Sequence, residues 1–353
     1  MKAPTYFEEF LGAIRLPDDL RAKAKKAHTK LRELLESDAD LQSILVTTFL
    51  QGSYRRHTGV KPDSGKKCDV DVVVVTRIDR ARVTPADALN RFRPFLEKYY
   101  KGQYRLQGRS WRIIDGDIEL DLVPTSAPTE ANEAFLREAA AAEFLSDLSD
   151  YRKDLERISK LREAQNEGKW RADVLWIPDR ELKVWRETNP LAQIDWTIGK
   201  NYRTNSNYVN VVKVTKWWRK TAYDTKHPKG YPLEHLVGAN CPDGIETVAD
   251  GFVLTAESIV HAYESHRTAG EKPSLNDHGV ASHDVLGRLS VAEFAEFYDE
   301  VVSMSRDARR ALTEPDTTAS VAIWRSIFGE LFPEPPKYTE RAATSSVIPG
   351  RFA

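Results

Sequence analysis

The sequence predicts an α+β fold in which a mixed sheet flanked by helices is followed by a helical lobe, with a cleft between them. Apolar strands alternate with amphipathic helices over the first half of the chain, whereas from about residue 190 the apolar residues recur with helical spacing. One strand, 69–76, is a valine run that opens with two aspartates. Such a continuous run is typical of a strand buried on both faces.

The individual elements follow in chain order from these two periods. Residues 4–37 have helical spacing, and Leu16-Pro17-Asp18-Asp19 is the start signal for a helix over 22–35. The strands are expected at 45–51, 69–76, 103–114 and 117–123, with an edge strand at 171–177. The helices are expected at 85–99, 129–167, 207–221, 233–237, 247–265, 291–314 and 320–331.

These patterns divide the chain into three parts. A core with its N-terminal helix is expected at 1–190, a helical lobe at 191–333, and a flexible tail at 334–353, where proline, serine and glycine become frequent. The chain has 353 residues, enough for two lobes with a good hydrophobic core.

Composition narrows the class of protein. The formal net charge is −1, so no global basic field attracts nucleic acid. The two cysteines, Cys68 and Cys241, form no disulfide framework, and this favours a reducing, cytoplasmic location. No signal peptide and no apolar run of membrane-spanning length are evident, so no membrane association is expected.

Three carboxylates on two apolar strands are the strongest chemical signal. Asp69 and Asp71 open the valine run, and both project from one face because side chains alternate along a strand. Asp121 lies deep in the later apolar run 118–123, whereas Glu119 is interpreted as a structural or exposed acid. Asp69, Asp71 and Asp121 are therefore the candidate catalytic and metal-binding residues.

Converging carboxylates require cations, because their negative charges otherwise repel one another. Hard oxygen ligands suit Mg²⁺ or Mn²⁺. Two such ions roughly 3.5–4 Å apart would stabilise an attacking hydroxyl and a leaving pyrophosphate. Together with a phosphate-binding turn, the carboxylates predict binding of a metal-chelated nucleoside triphosphate.

That turn is expected at Gln51-Gly52-Ser53-Tyr54, before the valine strand. Glycine lets the backbone approach a phosphate and adopt positive φ. The Ser53 hydroxyl and nearby backbone N–H groups can donate to phosphate oxygens, and a helix beginning near Tyr54 would add its N-terminal dipole. Arg55 and Arg56 follow, and two interpretations stay open for them: a phosphate clamp, or exposed surface residues.

The order and spacing of these motifs resemble the DNA-polymerase-β-type nucleotidyltransferase superfamily, and more narrowly the bacterial cGAS/DncV-like nucleotidyltransferases (CD-NTases). The superfamily pattern is matched by Leu50-Gln51-Gly52-Ser53, Asp69-Val70-Asp71 and Asp121. The narrower resemblance depends on these segments: Tyr54-Arg55-Arg56-His57-Thr58-Gly59, Ile177-Pro178-Asp179-Arg180, Lys216-Trp217-Trp218, Tyr231-Pro232-Leu233-Glu234 and Trp324-Arg325-Ser326-Ile327-Phe328-Gly329. The chain departs from many relatives in its long loop after Ser53, and in Gly230, where they carry serine.

The resemblance implies a polymerase-β-like nucleotidyltransferase core and an activity. NTPs, with ATP among them, would bind between the lobes, and a cyclic di- or trinucleotide second messenger for antiphage defence would form with release of pyrophosphate. Lys216 would reach the donor's β- or γ-phosphate, and Tyr231 would stack on a base; the alternatives are a solvated basic helix face and a tyrosine packed on a loop. Regulatory or effector proteins encoded nearby are the implied partners.

Three other interpretations remain open at this stage. The chain could transfer nucleotides to RNA, to a protein or to a small molecule without closing a ring. It could be a catalytically inactive binding module, although the three carboxylates and the Gly-Ser pair argue against this. It could also combine catalysis with docking or conjugation through the tail at 333–353. Base specificity, linkage and ring size are not determined by the sequence.

Overall fold

The computed structural model describes residues 1–126, 133–134, 136–140, 174–222 and 227–335. Its strands are β1 (Leu45–Gln51), β2 (Cys68–Thr76), β3 (Tyr104–Leu106), β4 (Trp111–Asp115), β5 (Ile118–Ser126), β6 (Leu175–Asp179) and β7 (Val184–Thr188). Within the same ranges the helices are α1 (Pro4–Ile14), α2 (Asp18–Ser37), α3 (Gly52–Arg55), α4 (Pro85–Asn90), α5 (Arg93–Tyr99), α6 (Pro190–Arg203), α7 (Tyr208–Ala222), α8 (Gly230–Asn240), α9 (Val248–Ala269), α10 (Val291–Thr313) and α11 (Thr317–Phe328).

The strands form one mixed sheet, as predicted. The order β1-β2-β5-β4-β3 is continued by β6, which pairs with β5, and by β7, which pairs with β6. Strands β2 and β5 are parallel, whereas the other pairs are antiparallel. The parallel pair lies between β1 and β4, so the two carboxylate-bearing strands are adjacent.

Helices cover the sheet because β2 is apolar on both faces. Val70, Val72 and Val74 are buried with apolar side chains of α2, α4 and α5 in one cluster. Val73 and Val75 lie in a second cluster with residues of β1 and with Leu175. The prediction of a strand buried on both faces is confirmed, and this burial fixes which side of β2 each aspartate occupies.

The C-terminal helices enclose a separate and larger cluster. Helix α1 packs into it, with the Phe7 ring centroid 5.1 Å from that of Trp324 and the Phe10 centroid 4.8 Å from that of Phe328. The N-terminal helix therefore shares its hydrophobic contacts with the helical lobe. The predicted boundaries at 190 and 333 stay predictions.

Several predicted elements differ from the structure. The helix expected over 85–99 is two helices, because Pro94 stands in the first turn of α5. The strand expected over 103–114 is two short strands, β3 and β4, which pair as a hairpin. Strand β7 and helix α6 were not predicted; the Asn189 side chain caps α6 by accepting from the Ala192 N–H, and Asn-Pro was interpreted as a break.

Other predictions fall partly or wholly beyond the described residues. Most of the helical segment expected over 129–167 lies outside them, and so do the first residues of the edge strand, which is described from Leu175. All but the first residues of the tail lie outside them as well. In the part of the chain that the structure describes, no helix is long and apolar enough to cross a bilayer.

Candidate active site

The carboxylates of Asp69, Asp71 and Asp121 meet at one edge of the sheet. In the parallel pairing of β2 and β5, Asp71 lies opposite Asp121 and Asp69 lies opposite Glu119. One oxygen from each of the three aspartates lies within 4.8 Å of the others. Residues separated by about fifty positions are therefore brought together by strand register, and the sequence-predicted set converges.

The Gly-Ser turn follows directly from β1. Gln51, the last residue of β1, pairs with Asp71 across the antiparallel β1–β2 ladder, so the chain turns beside the carboxylates. Gly52 has φ of +73°, and a Cβ added there would lie 1.9 Å from Oδ2 of Asp71. Only glycine fits both the backbone conformation and the close approach. The turn and strand β2 are thus matched to each other, with Ser53 opening the short α3 helix.

Arg112 is a site residue that the sequence interpretation missed. It lies on β4 opposite Asp121, and its Nε and Nη2 donate to Oδ1 and Oδ2 of that carboxylate at 2.8 and 2.7 Å. Its Nη1 donates to Glu119 at 2.7 Å, and Nη2 lies 3.3 Å from Asp69. The guanidinium thus orients Asp121 and is itself held by Glu119, which gives Glu119 the structural role expected of it.

The charges of the cluster are only partly balanced. Burial, together with Asp121 and Glu119, raises the pKa of Asp69 to about 6, although Arg112 opposes this shift. Burial and the two neighbouring aspartates raise the pKa of Asp71 to about 7. Carboxylates that resist ionisation beside one another are the chemical signature of a site that accepts further positive charge. The oxygen-only donor set fits a hard divalent cation.

We expect the metal-free protein to lose stability as pH rises from about 4 to about 7. The raised pKa values of Asp69 and Asp71 mean that the native state holds protons which the unfolded chain releases, so ionisation favours unfolding over this range. The Tm in EDTA should therefore fall more steeply with pH in the wild type than in the Asp69→Asn/Asp71→Asn variant. Added Mg²⁺ should flatten the wild-type curve; identical slopes in the two proteins would contradict the prediction.

A buried ionic network attaches the helical lobe to the site. Nζ of Lys216 on α7 lies 2.5 Å from Oε1 of Glu234 on α8, and Nε of Arg56 donates to Oε2 of Glu234 at 3.0 Å. The side chains of all three are only 6–7% exposed. Burial alone would raise the pKa of Glu234, but Lys216 and Arg56 outweigh burial and lower it to about 2. The carboxylate is therefore ionised and holds both cations.

The two arginines after the turn are both buried, at 3% exposure for Arg55 and 7% for Arg56, so the interpretation as exposed residues is wrong. Arg56 lines the cleft, while Arg55 faces a neighbouring cavity. Lys216 is buried too, and the alternative of a solvated basic face is wrong for it. A direct contact from Arg55 or Lys216 to nucleotide stays a prediction.

Tyr231 lies at the start of α8 and is oriented by the segment that follows α9. Its hydroxyl donates to Oδ2 of Asp277 at 2.5 Å, and Asp277 also accepts from the amide of Gln193. The Arg56 guanidinium lies 5.3 Å from the Tyr231 ring centroid. The sequence gave no signal for Asp277, because it lies in an irregular loop.

One cleft of about 450 Å³ joins these parts. Its wall contains the turn residues, two of the aspartates and the residues of the helical lobe: Gln51, Gly52, Ser53, Arg56, Asp69, Asp71, Gln193, Lys216, Gly230, Tyr231, Glu234 and Asp277. Carboxylates for a cation, donors for phosphate and an aromatic ring thus surround a single space, which is the arrangement needed to position an NTP.

Comparisons with known proteins agree with this geometry. Residues 1–144 match the Second Messenger Oligonucleotide or Dinucleotide Synthetase domain. The chain is 40% identical to the cyclic AMP-AMP-GMP synthase of Enterobacter hormaechei over 95% of its own length and 93% of the relative's. It is also 40% identical to a probable cyclic AMP-AMP-GMP nucleotide synthase of Salmonella paratyphi B over the whole of both chains.

A solved structure supports the fold. The Bradyrhizobium diazoefficiens CD-NTase CdnG in complex with GTP superposes with a TM-score of 0.67, at 14% identity, over 92% of this chain and 94% of that one. The fold and the site define a nucleotidyltransferase. Given the full-length identity to the curated relatives, the chain belongs to the bacterial CD-NTase family and is a cyclic oligonucleotide synthase. The resemblance and the fold class drawn from the sequence are confirmed.

Proposed function

We propose that the protein joins two ATP and one GTP into a cyclic trinucleotide, cyclic AMP-AMP-GMP. Two relatives that are 40% identical bear this product in their names, whereas the cyclic AMP-AMP-AMP synthase of an Acinetobacter strain is only 28% identical, over 87% of this chain. The convergence of three carboxylates on a phosphate-binding turn supports nucleotidyl transfer as the chemical step. The base composition of the product rests on the relatives.

Each transfer forms one bond and breaks one. A ribose hydroxyl of the acceptor attacks the donor's α-phosphorus, the bond to the β-phosphate oxygen breaks, pyrophosphate leaves, and the hydroxyl proton passes to water. Three such transfers close a ring of three nucleotides and release three pyrophosphates. Because little covalent chemistry is required of the protein, its contribution is positioning and charge stabilisation.

Asp69, Asp71 and Asp121 would hold two Mg²⁺ ions, or Mn²⁺, and their raised pKa values and mutual proximity fit that role. The bound ions would lower the pKa of the attacking hydroxyl and stabilise the leaving pyrophosphate. Arg112 orients Asp121 through its paired hydrogen bonds, so the oxygen atoms remain aimed at the cleft. Arg112 thereby acts as a positioning residue.

Phosphate and base would be held by the walls of the cleft. The Ser53 hydroxyl and the backbone around Gly52 are placed to donate to the donor's phosphates, with Lys216 supplying positive charge. Lys216 already binds Glu234, so its position is fixed before substrate arrives. Tyr231 would stack on a base and contribute roughly 1–3 kcal/mol.

The biological setting is also part of this proposal and rests on the family resemblance. It comprises cytoplasmic location, antiphage defence signalling, and work with regulatory or effector proteins encoded nearby.

The product assay uses purified protein, Mg²⁺ and the four NTPs with one α-labelled at a time. After phosphatase treatment we expect a resistant product with the mass of a ring of two AMP and one GMP, formed only when both ATP and GTP are present. The Asp69→Ala/Asp71→Ala variant is the matched control and should form none.

Other outcomes separate the alternatives. A resistant product from ATP alone would favour cyclic AMP-AMP-AMP, and phosphatase-sensitive linear products would favour a non-cyclising transferase. A product identical in the control variant would exclude the site as the source of activity.

A further inference from the structure

A second cavity, of about 680 Å³, lies behind the Gly-Ser turn. Its walls are the junction of α1 and α2, the loop after α3, and the facing sides of α6 and α7. It shares five lining residues with the catalytic cleft: Ser53, Arg56, Asp69, Lys216 and Gly230. The two spaces therefore meet at the residues that would contact the donor's phosphates.

The described lining of this cavity is strongly basic. Nine lysines and arginines face it against one acid, Asp69, whose carboxylate already contacts Arg112. On α7, Lys213, Lys216 and Lys220 recur at a spacing that places them on one side of the helix. This accumulation is local, because the chain as a whole has a formal net charge of −1.

Two of these cations lack an acidic partner among the described residues. Lys213 makes no hydrogen bond or ion pair there, and burial together with Arg15, Arg21 and Lys216 lowers its pKa to about 7. Arg15 donates to the amide oxygen of Asn210 at 3.3 Å, and burial and Arg21 lower its pKa. Charges gathered without counter-charges are costly, and a bound anion would remove that cost.

The same feature separates this cavity from the buried network beside it. Lys216 and Arg56 are neutralised by Glu234, and Lys220 lies 2.7 Å from Asp63. Where these cations serve to connect the lobes, carboxylates accompany them. At Lys213 and Arg15 the position of the counter-charge is left to a ligand.

We propose that this cavity is a polyphosphate-binding site, with Lys213 and Arg15 as its principal contacts. A chain of phosphates matches a row of cations on one helix, since each phosphate carries its own charge. The shared wall at Ser53 and Lys216 lets a polyphosphate extend from the catalytic cleft into the cavity. The occupant is either the triphosphate tail or pyrophosphate of the substrate itself, or a separate phosphorylated molecule.

The direct test is calorimetric titration of the full-length chain with inorganic tripolyphosphate in EDTA, so that no metal contributes. We expect one bound anion, with Kd raised about tenfold in Lys213→Met and in Arg15→Gln, because each variant removes one cation from the site. Lys26→Met, an exposed lysine on α2, is the matched control and should keep the wild-type Kd. Circular dichroism and Tm confirm that each variant is folded.

Two results would overturn the proposal. One is equal affinity in Lys213→Met and Lys26→Met; the other is no tripolyphosphate binding by the wild type. Should Lys213→Met fail to fold, Arg15→Gln alone decides, since Arg15 is an exposed residue.

The source of the phosphate is assigned by repeating the titration with ATP-saturated protein. Competition between the two ligands identifies the substrate's own tail, and this arm rests on the proposed function; simultaneous binding identifies a separate anion. Asp71→Asn should lose cyclic product yet bind tripolyphosphate no more weakly. Failure of the anion site and failure of the proposed function are therefore distinguishable.

Discussion

Asp71→Asn is expected to lower cyclic product formation by at least about 10³-fold, the scale seen when a preorganised electrostatic contact to the reacting groups is removed. Asp71 faces Asp121 across the parallel ladder and lies against the Gly52 turn, so it is central to the cation-binding set. Asparagine keeps its size and removes the charge. The measurement is initial rate at saturating ATP, GTP and Mg²⁺.

The same substitution should leave the metal-free protein at least as stable as the wild type. Asp71 is repelled by Asp69 and Asp121, and its raised pKa records that repulsion. We expect Tm in EDTA to rise by about 2–4 °C, the equivalent of about 1 kcal/mol in a chain of this size. Asp40→Asn, at an exposed position, is the matched control for both readouts. Activity close to wild type in Asp71→Asn would refute its assigned role.

Glu234→Ala is expected to destabilise the protein by about 3–5 kcal/mol, because it leaves Lys216 and Arg56 buried without their shared counter-charge. These cations come from different lobes, so the substitution should also loosen the junction at the active site. The measurement is the free energy of unfolding from urea denaturation. Glu264→Ala, on the exposed face of α9, is the control and should change it by less than about 0.5 kcal/mol.

The pH dependence provides an independent check on Glu234. Its lowered pKa means that its stabilising contribution is complete above the usual glutamate range and is lost as pH falls toward about 2. The difference in stability between wild type and Glu234→Ala should therefore narrow as pH is lowered below about 4.5. A difference that stayed constant down to pH 3 would argue that lost packing, and not charge, causes the effect.

The sequence was informative where a function depends on local pattern. Alternation along β2 placed Asp69 and Asp71 on one face, and the apolar run around Asp121 indicated a neighbouring strand. Gly52 was recognisable from its position after an apolar strand. Continuous valines identified the central strand, because few other environments accept them.

Other site residues depend on pairings that no local pattern specifies. Arg112 reaches Asp121 only because β4 lies antiparallel to β5 in one particular register. The partner of Lys216 is set by the packing of α7 against α8, and Asp277 reaches Tyr231 from an irregular loop. The accumulation of basic residues around Lys213 also arises in three dimensions, since its members come from separate segments.

The parallel register of β2 and β5 also constrains how the chain folds. Asp71 and Asp121 become neighbours only after the intervening segment, with α4, α5 and the β3–β4 hairpin, has been laid across the sheet. A one-residue slip would direct Asp121 to the opposite face. Because contacts distant in sequence form late, a ribosome must release the chain through β5 before the site exists. An incomplete nascent chain therefore carries the Gly-Ser turn and two aspartates without the means to use them.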